Sequence, residues 1–239
     1  MTVVLSATDQ SGYQITDQDL DFLGIARDRF DSWERGETPL AASSSEFLEL
    51  TRTLFDALRA DGIDDADVRL QGSAARFFSS AVKPMLYTRQ ELIQEFAEQY
   101  QRLPSAHEVT QMEAKLASRW SGVGPEQRPF DALYVIGAAK EASDLDFQVS
   151  SDAARRLIET AVRDLGISPS DIRNKNVNYN FFEKYLTETQ FVRLSLWRTR
   201  ASEMIRRPVS VAIFDGAGPP VSRGLVSSHF RTTDWRVTP

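Results

Sequence analysis

Two aspartates one residue apart, Asp144 and Asp146, lie in the sequence EASDLDFQVSS at residues 141–151. The run alternates apolar and polar residues, which predicts a β-strand with the leucine, phenylalanine and valine on one face and the aspartates on the other. Neighbouring carboxylates repel each other unless they are solvated, protonated or bridged by a cation. The pair therefore fits either a magnesium site, completed by phosphate oxygens and water, or an ordinary solvated strand.

A Gly-Ser dipeptide follows a second predicted strand. Val68 and Leu70 alternate with polar residues in ADVRLQGSAARFFSS, and Gly72-Ser73 stands between this strand and a predicted helix start. Backbone N–H groups and a hydroxyl at such a junction can bind an anion, and Arg76 would add positive charge. A plain strand-to-helix turn with a serine cap is the other interpretation of the same residues.

A further carboxylate, Asp215, closes the apolar run PVSVAIFDG. Open α/β sheets often place functional groups at the ends of apolar strands, although an aspartate before glycine is also common in turns. Strict alternation puts Asp215 on the face of Val211 and Ile213, so it needs a twist or bulge to reach the polar face. Asp234, in SSHFRTTDWRV, is the reserve candidate.

The composition limits which sites are possible. The chain has 239 residues, no cysteine and only two histidines, His107 and His229, which excludes a disulfide framework and disfavours zinc. A hard cation with oxygen ligands is the natural metal. The net charge of −6 argues against a globally basic nucleic-acid binder. The N-terminus lacks the features of a signal peptide and no apolar run approaches the ~18 residues of a membrane span, so we expect a cytoplasmic protein.

Hydrophobic periodicity and caps predict the elements that would position these residues. Helices are predicted at 17–36, closed by Gly36, at 43–62, at 88–120 on both sides of Pro104, and at 151–166. The segment 171–207 fits helix or strand, since Val192, Leu194 and Leu196 alternate. Separated strands among helices predict an α+β (α/β) fold. We expect N-terminal helices at 1–65 packing on a core at 66–239, with a helical insertion at about 88–125.

The combination of these motifs resembles the DNA polymerase beta-like nucleotidyltransferase superfamily, in particular its minimal bacterial-type members. The residues that carry the resemblance are Gly72-Ser73, the pair Asp144 and Asp146, and Asp215. The resemblance covers scattered pieces of residues 66–216, and about seventy residues separate Gly-Ser from the aspartate pair. It implies a nucleotidyltransferase-like mixed sheet with flanking helices. It also implies an enzyme of the EC 2.7.7 type that moves a nucleoside monophosphate from an NTP to an acceptor hydroxyl.

Roles for individual residues follow from the same resemblance. Asp144, Asp146 and Asp215 would be catalytic and would bind Mg²⁺, with Mn²⁺ as a substitute, whereas the Gly-Ser loop and Arg76 would bind the triphosphate of ATP or another NTP. The acceptor would be RNA, protein, another nucleotide or a small molecule. The elements that hold base and acceptor would come from the N-terminal helices, the helical insertion or another chain, which would be a partner protein or a second copy in a homo-oligomer.

The rival hypothesis is a non-catalytic regulatory module that binds nucleotide or DNA. FAEQYQRLPSAHEVTQMEAKLASR, within 90–120, has the pattern of a helix-turn-helix segment. Its second helix carries acidic residues and would depend on Gln111, Lys115 and Arg119 for contacts with DNA. Packing of this hairpin on the core, or over an active cleft, is the alternative.

Overall fold

A computed structural model describes residues 7–80, 82–166, 168, 171–173, 181–218 and 235–239. The helices in these residues are α1 (Asp17–Leu23), α2 (Arg27–Glu34), α3 (Ser44–Ala60), α4 (Ser73–Arg76), α5 (Arg89–Tyr100), α6 (Ala106–Trp120), α7 (Ala132–Ile136), α8 (Asp152–Asp164), α9 (Lys184–Gln190) and α10 (Val192–Ile205). The strands are β1 (Asp67–Gln71), β2 (Leu145–Ser150), β3 (Val209–Phe214) and β4 (Trp235–Val237).

The strands form one mixed sheet in the order β3-β2-β1-β4. β1 is antiparallel to both β2 and β4, whereas β2 and β3 are parallel and are joined by a connection that contains α8, α9 and α10. Parallel neighbours need such a long crossover. The chain is therefore a mixed α+β protein, as predicted.

The two faces of the sheet differ in polarity. Leu145, Phe147 and Val149 on β2 are buried, and the ring of Phe147 lies 5.5 Å from that of Trp197 on α10. Trp197 also donates through Nε1 to Thr53 Oγ1 on α3 at 3.0 Å. The apolar face is thus covered by α3 and α10, and the opposite face carries the polar residues of the same strands.

Chain contacts divide the protein into two compact units, each assembled from separate stretches. One consists of Met1–Ser43 and Gly72–Asp144, and the other, which holds the sheet, of Ser44–Gln71 and Leu145–Pro239. The division into 1–65 and 66–239 expected from the sequence stays a prediction. No helix in the described ranges is long and apolar enough to cross a membrane.

Two predicted elements need correction. The single helix expected at 17–36 is two helices, because Gly24 adopts a left-handed φ of 69° and ends α1. This conformation is typical of a helix C-terminus and costs glycine little. Within the ambiguous segment 171–207, the strand alternative for Val192, Leu194 and Leu196 is wrong: Leu194, Trp197 and Ala201 are buried at helical spacing on α10. The predicted helices at 43–62, 88–120 and 151–166 are confirmed as α3, α5 with α6, and α8.

A buried carboxylate joins α1 to α6 in the first unit. The side chain of Asp19 is 0% exposed, accepts a hydrogen bond from Trp120 Nε1 at 2.8 Å and lies 2.7 Å from Arg119 Nε. The backbone N–H and hydroxyl of Thr16 both donate to it at 2.8 Å. Burial alone would raise the pKa of Asp19, but the hydrogen bonds from Thr16, Trp120 and Arg119 hold that pKa below its ordinary value.

We expect Asp19→Asn to reduce the free energy of unfolding by roughly 3–5 kcal/mol at neutral pH, because it removes the counter-charge of a largely buried guanidinium. Since the folded-state pKa lies below the ordinary value of 3.8, the carboxylate stabilises the fold above that pH. Its contribution is lost as pH falls through the lower folded-state pKa. Urea unfolding of both proteins across this range should show the difference shrinking in acid.

Asp17→Asn is the matched control, because Asp17 is 80% exposed and pairs with Arg27 on the surface. Its cost should stay below about 1 kcal/mol. Equal losses for the two variants, or a loss for Asp19→Asn that does not depend on pH, would contradict this account.

Candidate active site

Asp146 is the second residue of β2 and lies in the middle of three paired strands. Gln71, the last residue of β1, is its antiparallel partner, and Ser210 of β3 is its parallel partner. The hydroxyl of Ser210 donates a short hydrogen bond to Asp146 Oδ1. This contact orients the carboxylate of Asp146.

The polar face predicted for this strand is confirmed for the residues within β2. Side chains at directly paired positions share a face, so Gln71, Asp146 and Ser210 form one row across the sheet. The next row along the same face contains Arg69, Gln148 and Ala212. Asp146, Gln71 and Ser210 are each half-buried, so the first row is partly accessible to solvent.

Asp144 precedes the strand and belongs to the stretch of chain in the first unit. It is half-buried. The residue before it is fixed by a reciprocal pair of hydrogen bonds: Ser143 N donates to Asp131 Oδ1 at 2.8 Å, and Asp131 N donates to Ser143 Oγ at 3.0 Å. These two hydrogen bonds therefore fix the backbone just before β2.

The Gly-Ser junction leads from β1 into a single turn of helix. Gly72 has φ 78° and ψ −172°, which an L-residue adopts only with strain, so glycine is required for this geometry. Ser73 begins α4, which has four residues and is held through backbone carbonyls: Leu40 N donates to Ala74 O at 3.0 Å, and Trp33 Nε1 donates to Ala75 O at 2.9 Å. Arg76 is the last residue of α4, and both Ser73 and Arg76 are half-buried.

Asp215 lies at a different edge of the sheet from Asp146. It follows β3, where Arg173 Nη2 donates to Oδ2 at 2.7 Å and Ala217 N donates to Oδ1 at 3.1 Å. The parallel register pairs Asp146 with Ser210, five residues before Asp215. With a rise of about 3.3 Å per residue and strands about 4.8 Å apart, the two aspartates are separated by about 17 Å.

This register revises the expectation that Asp215 completes a site with Asp146. Parallel strands have their carboxyl ends at one edge, so an acid after β3 lies far from an acid at the start of β2. In the described ranges, no cluster of three or more histidine, aspartate or glutamate side chains could hold a metal. His229 and Asp234 lie outside the described residues.

The carboxylate of Asp146 is the kind of ligand that a hard cation prefers. Mg²⁺ is commonly held by one or two carboxylates while phosphate oxygens and water complete its octahedron. Asp146 could supply one such ligand, whereas a two-cation site would need further carboxylates.

The α5–α6 hairpin uses its cations within its own unit. Lys115 Nζ donates to Val135 O at 2.9 Å, and Arg119 donates to Thr16 Oγ1 at 2.7 Å in addition to its contact with Asp19. Two of the three side chains on which DNA contact by this hairpin would depend are therefore engaged in intramolecular contacts. This weakens the electrostatic argument for a DNA-recognition helix.

A cavity of about 590 Å³ lies beside this hairpin in the first unit, lined among others by Tyr87, Leu116, Trp120 and Val123. Burial raises the pKa of Tyr87, whose hydroxyl donates to Pro125 O at 2.7 Å. None of the residues predicted to act on a nucleotide lines this cavity. It is an apolar feature separate from the aspartate pair.

Comparison of the chain with models of protein families, with curated proteins and with solved structures found no match. The geometry around Asp146 adds residues that sequence reasoning missed, namely Gln71 and Ser210. The polar position of Ser210 in the alternating run PVSVAIF was a usable signal, but its pairing with Asp146 depends on register.

We expect the Arg173–Asp215 contact to be a structural ion pair. In a double-mutant cycle with Arg173→Gln and Asp215→Asn, the coupling measured by urea unfolding should be about 1 kcal/mol, because both side chains are about three-quarters buried. A coupling near zero would show that the pair contributes nothing to stability.

Proposed function

We propose that the protein is a metal-dependent nucleotidyltransferase of the DNA polymerase beta-like type, which moves a nucleoside monophosphate from an NTP to an acceptor hydroxyl. The observation that carries the proposal is the pairing of Gln71 with Asp146. Gly72 and Ser73 are the next residues after Gln71 in the chain, and Asp144 is two residues before Asp146. Support for the proposal therefore comes from this pairing and from the positions of Gly72, Ser73 and Asp144 next to it in the chain.

Each residue has a physical task in this proposal. Asp146, oriented by Ser210, and Asp144 would hold Mg²⁺ or Mn²⁺, which would offset the negative charge of the triphosphate. Gly72 permits the sharp turn between β1 and α4, and the Ser73 hydroxyl would donate to a phosphate oxygen. Arg76 would add a charge-assisted contact to the same phosphates. Because α4 is only a single turn of helix, phosphate binding would depend on these direct contacts rather than on a helix N-terminus.

The proposed reaction is a displacement at phosphorus. The oxygen of the acceptor hydroxyl forms a bond to the α-phosphorus, the bond from that phosphorus to the bridging oxygen breaks, and pyrophosphate leaves with the electron pair. The hydroxyl proton passes to water. Holding NTP and acceptor together would make the attack effectively unimolecular, which is the main contribution expected from binding residues.

The third carboxylate of the resemblance is reassigned. Asp215 is engaged with Arg173, so we propose Asp234 in its place on the basis of the sequence alone.

A second candidate is a regulator that binds a metal–NTP complex without transferring it. The distance of Asp215 from Asp146 favours it, because the described residues contain no cluster of three or more histidine, aspartate or glutamate side chains that could hold a metal. Binding and transfer therefore need separate measurements.

We expect thermal unfolding with Mg²⁺ and each of the four NTPs to reveal stabilisation by at least one of them. A ligand at one hundred times its dissociation constant adds about 2.7 kcal/mol, which raises Tm by roughly 5–10 °C for a chain of this size. Asp146→Asn should lose the shift because it removes the carboxylate. Ser210→Ala should reduce the shift because it removes the hydroxyl that orients this carboxylate. Asp215→Asn, the matched aspartate outside the site, should keep it.

The contradicting outcomes are equally clear. A shift that persists in EDTA or in Asp146→Asn, or no shift with any NTP, would rule out the proposed site.

Incubation with α-labelled NTP and a cell extract as the source of acceptors then separates the two candidates. A labelled product that Asp234→Asn abolishes supports the transferase, whereas binding without a labelled product supports the regulator.

A further inference from the structure

Helix α10 carries apolar side chains on its outward side as well as on the side that packs against the sheet. Trp197 represents the buried side, where it contacts Phe147. Three further apolar residues are exposed to solvent, Val192 by 53%, Leu196 by 46% and Met204 by 40%. A surface helix normally presents polar residues outward, and exposed apolar residues grouped on one element are typical of a contact surface.

The exposed apolar residues share one side of α10 with three charged residues. At 3.6 residues per turn, each residue advances about 100° around the helix, so that six residues fall within an arc of about 120°. They are Val192, Arg193, Leu196, Arg200, Glu203 and Met204, and all six are exposed. We call this set the outer face of α10. It lies opposite the buried side of the helix and therefore points away from the sheet.

The charged side chains of the outer face are not used within the described part of the chain. Arg193, Arg200 and Glu203 form no side-chain hydrogen bond or ion pair with any residue that the structure describes. Arg198, which lies outside this face on the same helix, instead pairs with Glu188 of α9. Arg193 and Glu203 are about 15 Å apart along the helix axis, so they cannot pair with each other within one copy.

The charges of the outer face are complementary to those of a second, antiparallel copy of the same face. In such a pair, a two-fold axis level with Arg198 brings together residues that are equally far from Arg198 on either side. Arg193 comes five positions before Arg198 and Glu203 five positions after it. Arg193 of one protomer therefore lies level with Glu203 of its partner, and the two-fold axis repeats this ion pair.

The apolar residues match in the same arrangement. Val192 and Met204 are each six positions from Arg198, so Val192 of one protomer lies level with Met204 of its partner. Leu196 lies level with Arg200 of the partner, whose aliphatic stem can cover the leucine while its guanidinium stays in water. Packed helices are 8–10 Å apart, a distance that side chains of these lengths can bridge.

We propose that the outer face of α10 is an interface between two copies of this chain related by a two-fold axis. Glu203 within the face would repel a nucleic-acid backbone, and the exposed apolar residues would gain nothing from phosphates. The net charge of −6 likewise disfavours an anionic membrane. Since α10 covers the apolar face of the sheet, the interface lies away from the polar face of Asp146, and the proposal does not rest on the proposed function.

The dimer should be weak and reversible. Two helices of 14 residues are only about 21 Å long, too short to bury the roughly 1,200 Å² of a stable complex. Sedimentation velocity of the native protein from about 5 to 500 µM should therefore show a monomer–dimer equilibrium with Kd on the order of 10–100 µM. Leu196→Glu should stay monomeric with unchanged Tm, because Leu196 is exposed in the monomer.

A charge exchange tests the self-complementary pairing itself. Arg193→Glu and Glu203→Arg should each weaken dimerisation at least tenfold, because each places like charges level with one another. The double variant Arg193→Glu/Glu203→Arg restores opposite charges with their signs exchanged and should regain native Kd within about threefold. Arg163→Glu, which reverses an exposed arginine on α8, is the matched control and should dimerise like the native protein.

Three outcomes would overturn the proposed interface. A native protein that remains monomeric at about 500 µM would leave an acidic protein or a nucleic acid as the occupant of the face. Single variants that dimerise like the native protein would place the dimer contact elsewhere, and a double variant no better than the single ones would refute the pairing. The stabilisation by metal–NTP, measured on Leu196→Glu, separates this result from the fate of the proposed function, because the monomer retains Asp146.

Discussion

The antiparallel pairing of β1 with β2 is the constraint on which the candidate site depends. It sets Gln71 opposite Asp146, so that the chain leaves β1 at Gly72 beside the point where it enters β2. A slip of one residue would turn Asp146 toward the helices α3 and α10 and place Phe147 on the polar face. The burial of Phe147 against Trp197 therefore holds the register, and the register positions the carboxylate.

The parallel pairing of β2 with β3 has the opposite consequence for Asp215. It brings Ser210 to Asp146 and carries the end of β3 to the far edge of the sheet. Arg173 then engages the Asp215 carboxylate in a turn. β3 thus supplies the Ser210 hydroxyl, which orients Asp146. Asp215, the residue after β3, instead forms an ion pair with Arg173. The amide nitrogen of Gln148 is buried without a hydrogen-bond partner among the described residues, on the same face as Asp146 and Ser210, where an apolar side chain would cost less.

The sequence predicted local structure better than it predicted which residues meet. Alternation identified β1 and β2, a β-branched apolar run identified β3, and hydrophobic spacing identified α5, α6 and α8, because each signal lies within a few consecutive residues. The break at Gly24 was missed because a glycine within an apolar repeat is compatible with both one helix and two. Asp215 was assigned to the site from its position at a strand end, without knowledge of strand direction. Contacts such as Ser210 with Asp146, 64 residues apart, are set by tertiary pairing that no local pattern encodes.

The α5–α6 hairpin, on which the rival DNA-binding hypothesis depends, also shows that the sequence predicts helices better than it predicts their tertiary contacts. Its sequence pattern and its capping boxes at Thr88 and Ser105 are those of two consecutive helices, as predicted. Whether its cations face a partner depends on tertiary contacts, and Arg119 is committed to the buried carboxylate of Asp19. The candidate for chemistry is therefore the polar face of the sheet.

The most direct test of this account is paramagnetic broadening of assigned backbone amide signals by Mn²⁺ in the presence of the NTP. The account predicts selective broadening at the end of β1, the start of β2 and Ser210, with the amides near Arg173 and Asp215 left sharp. Broadening centred on Asp215, or no selective broadening anywhere, would contradict the assignment of the metal–nucleotide site to the start of β2.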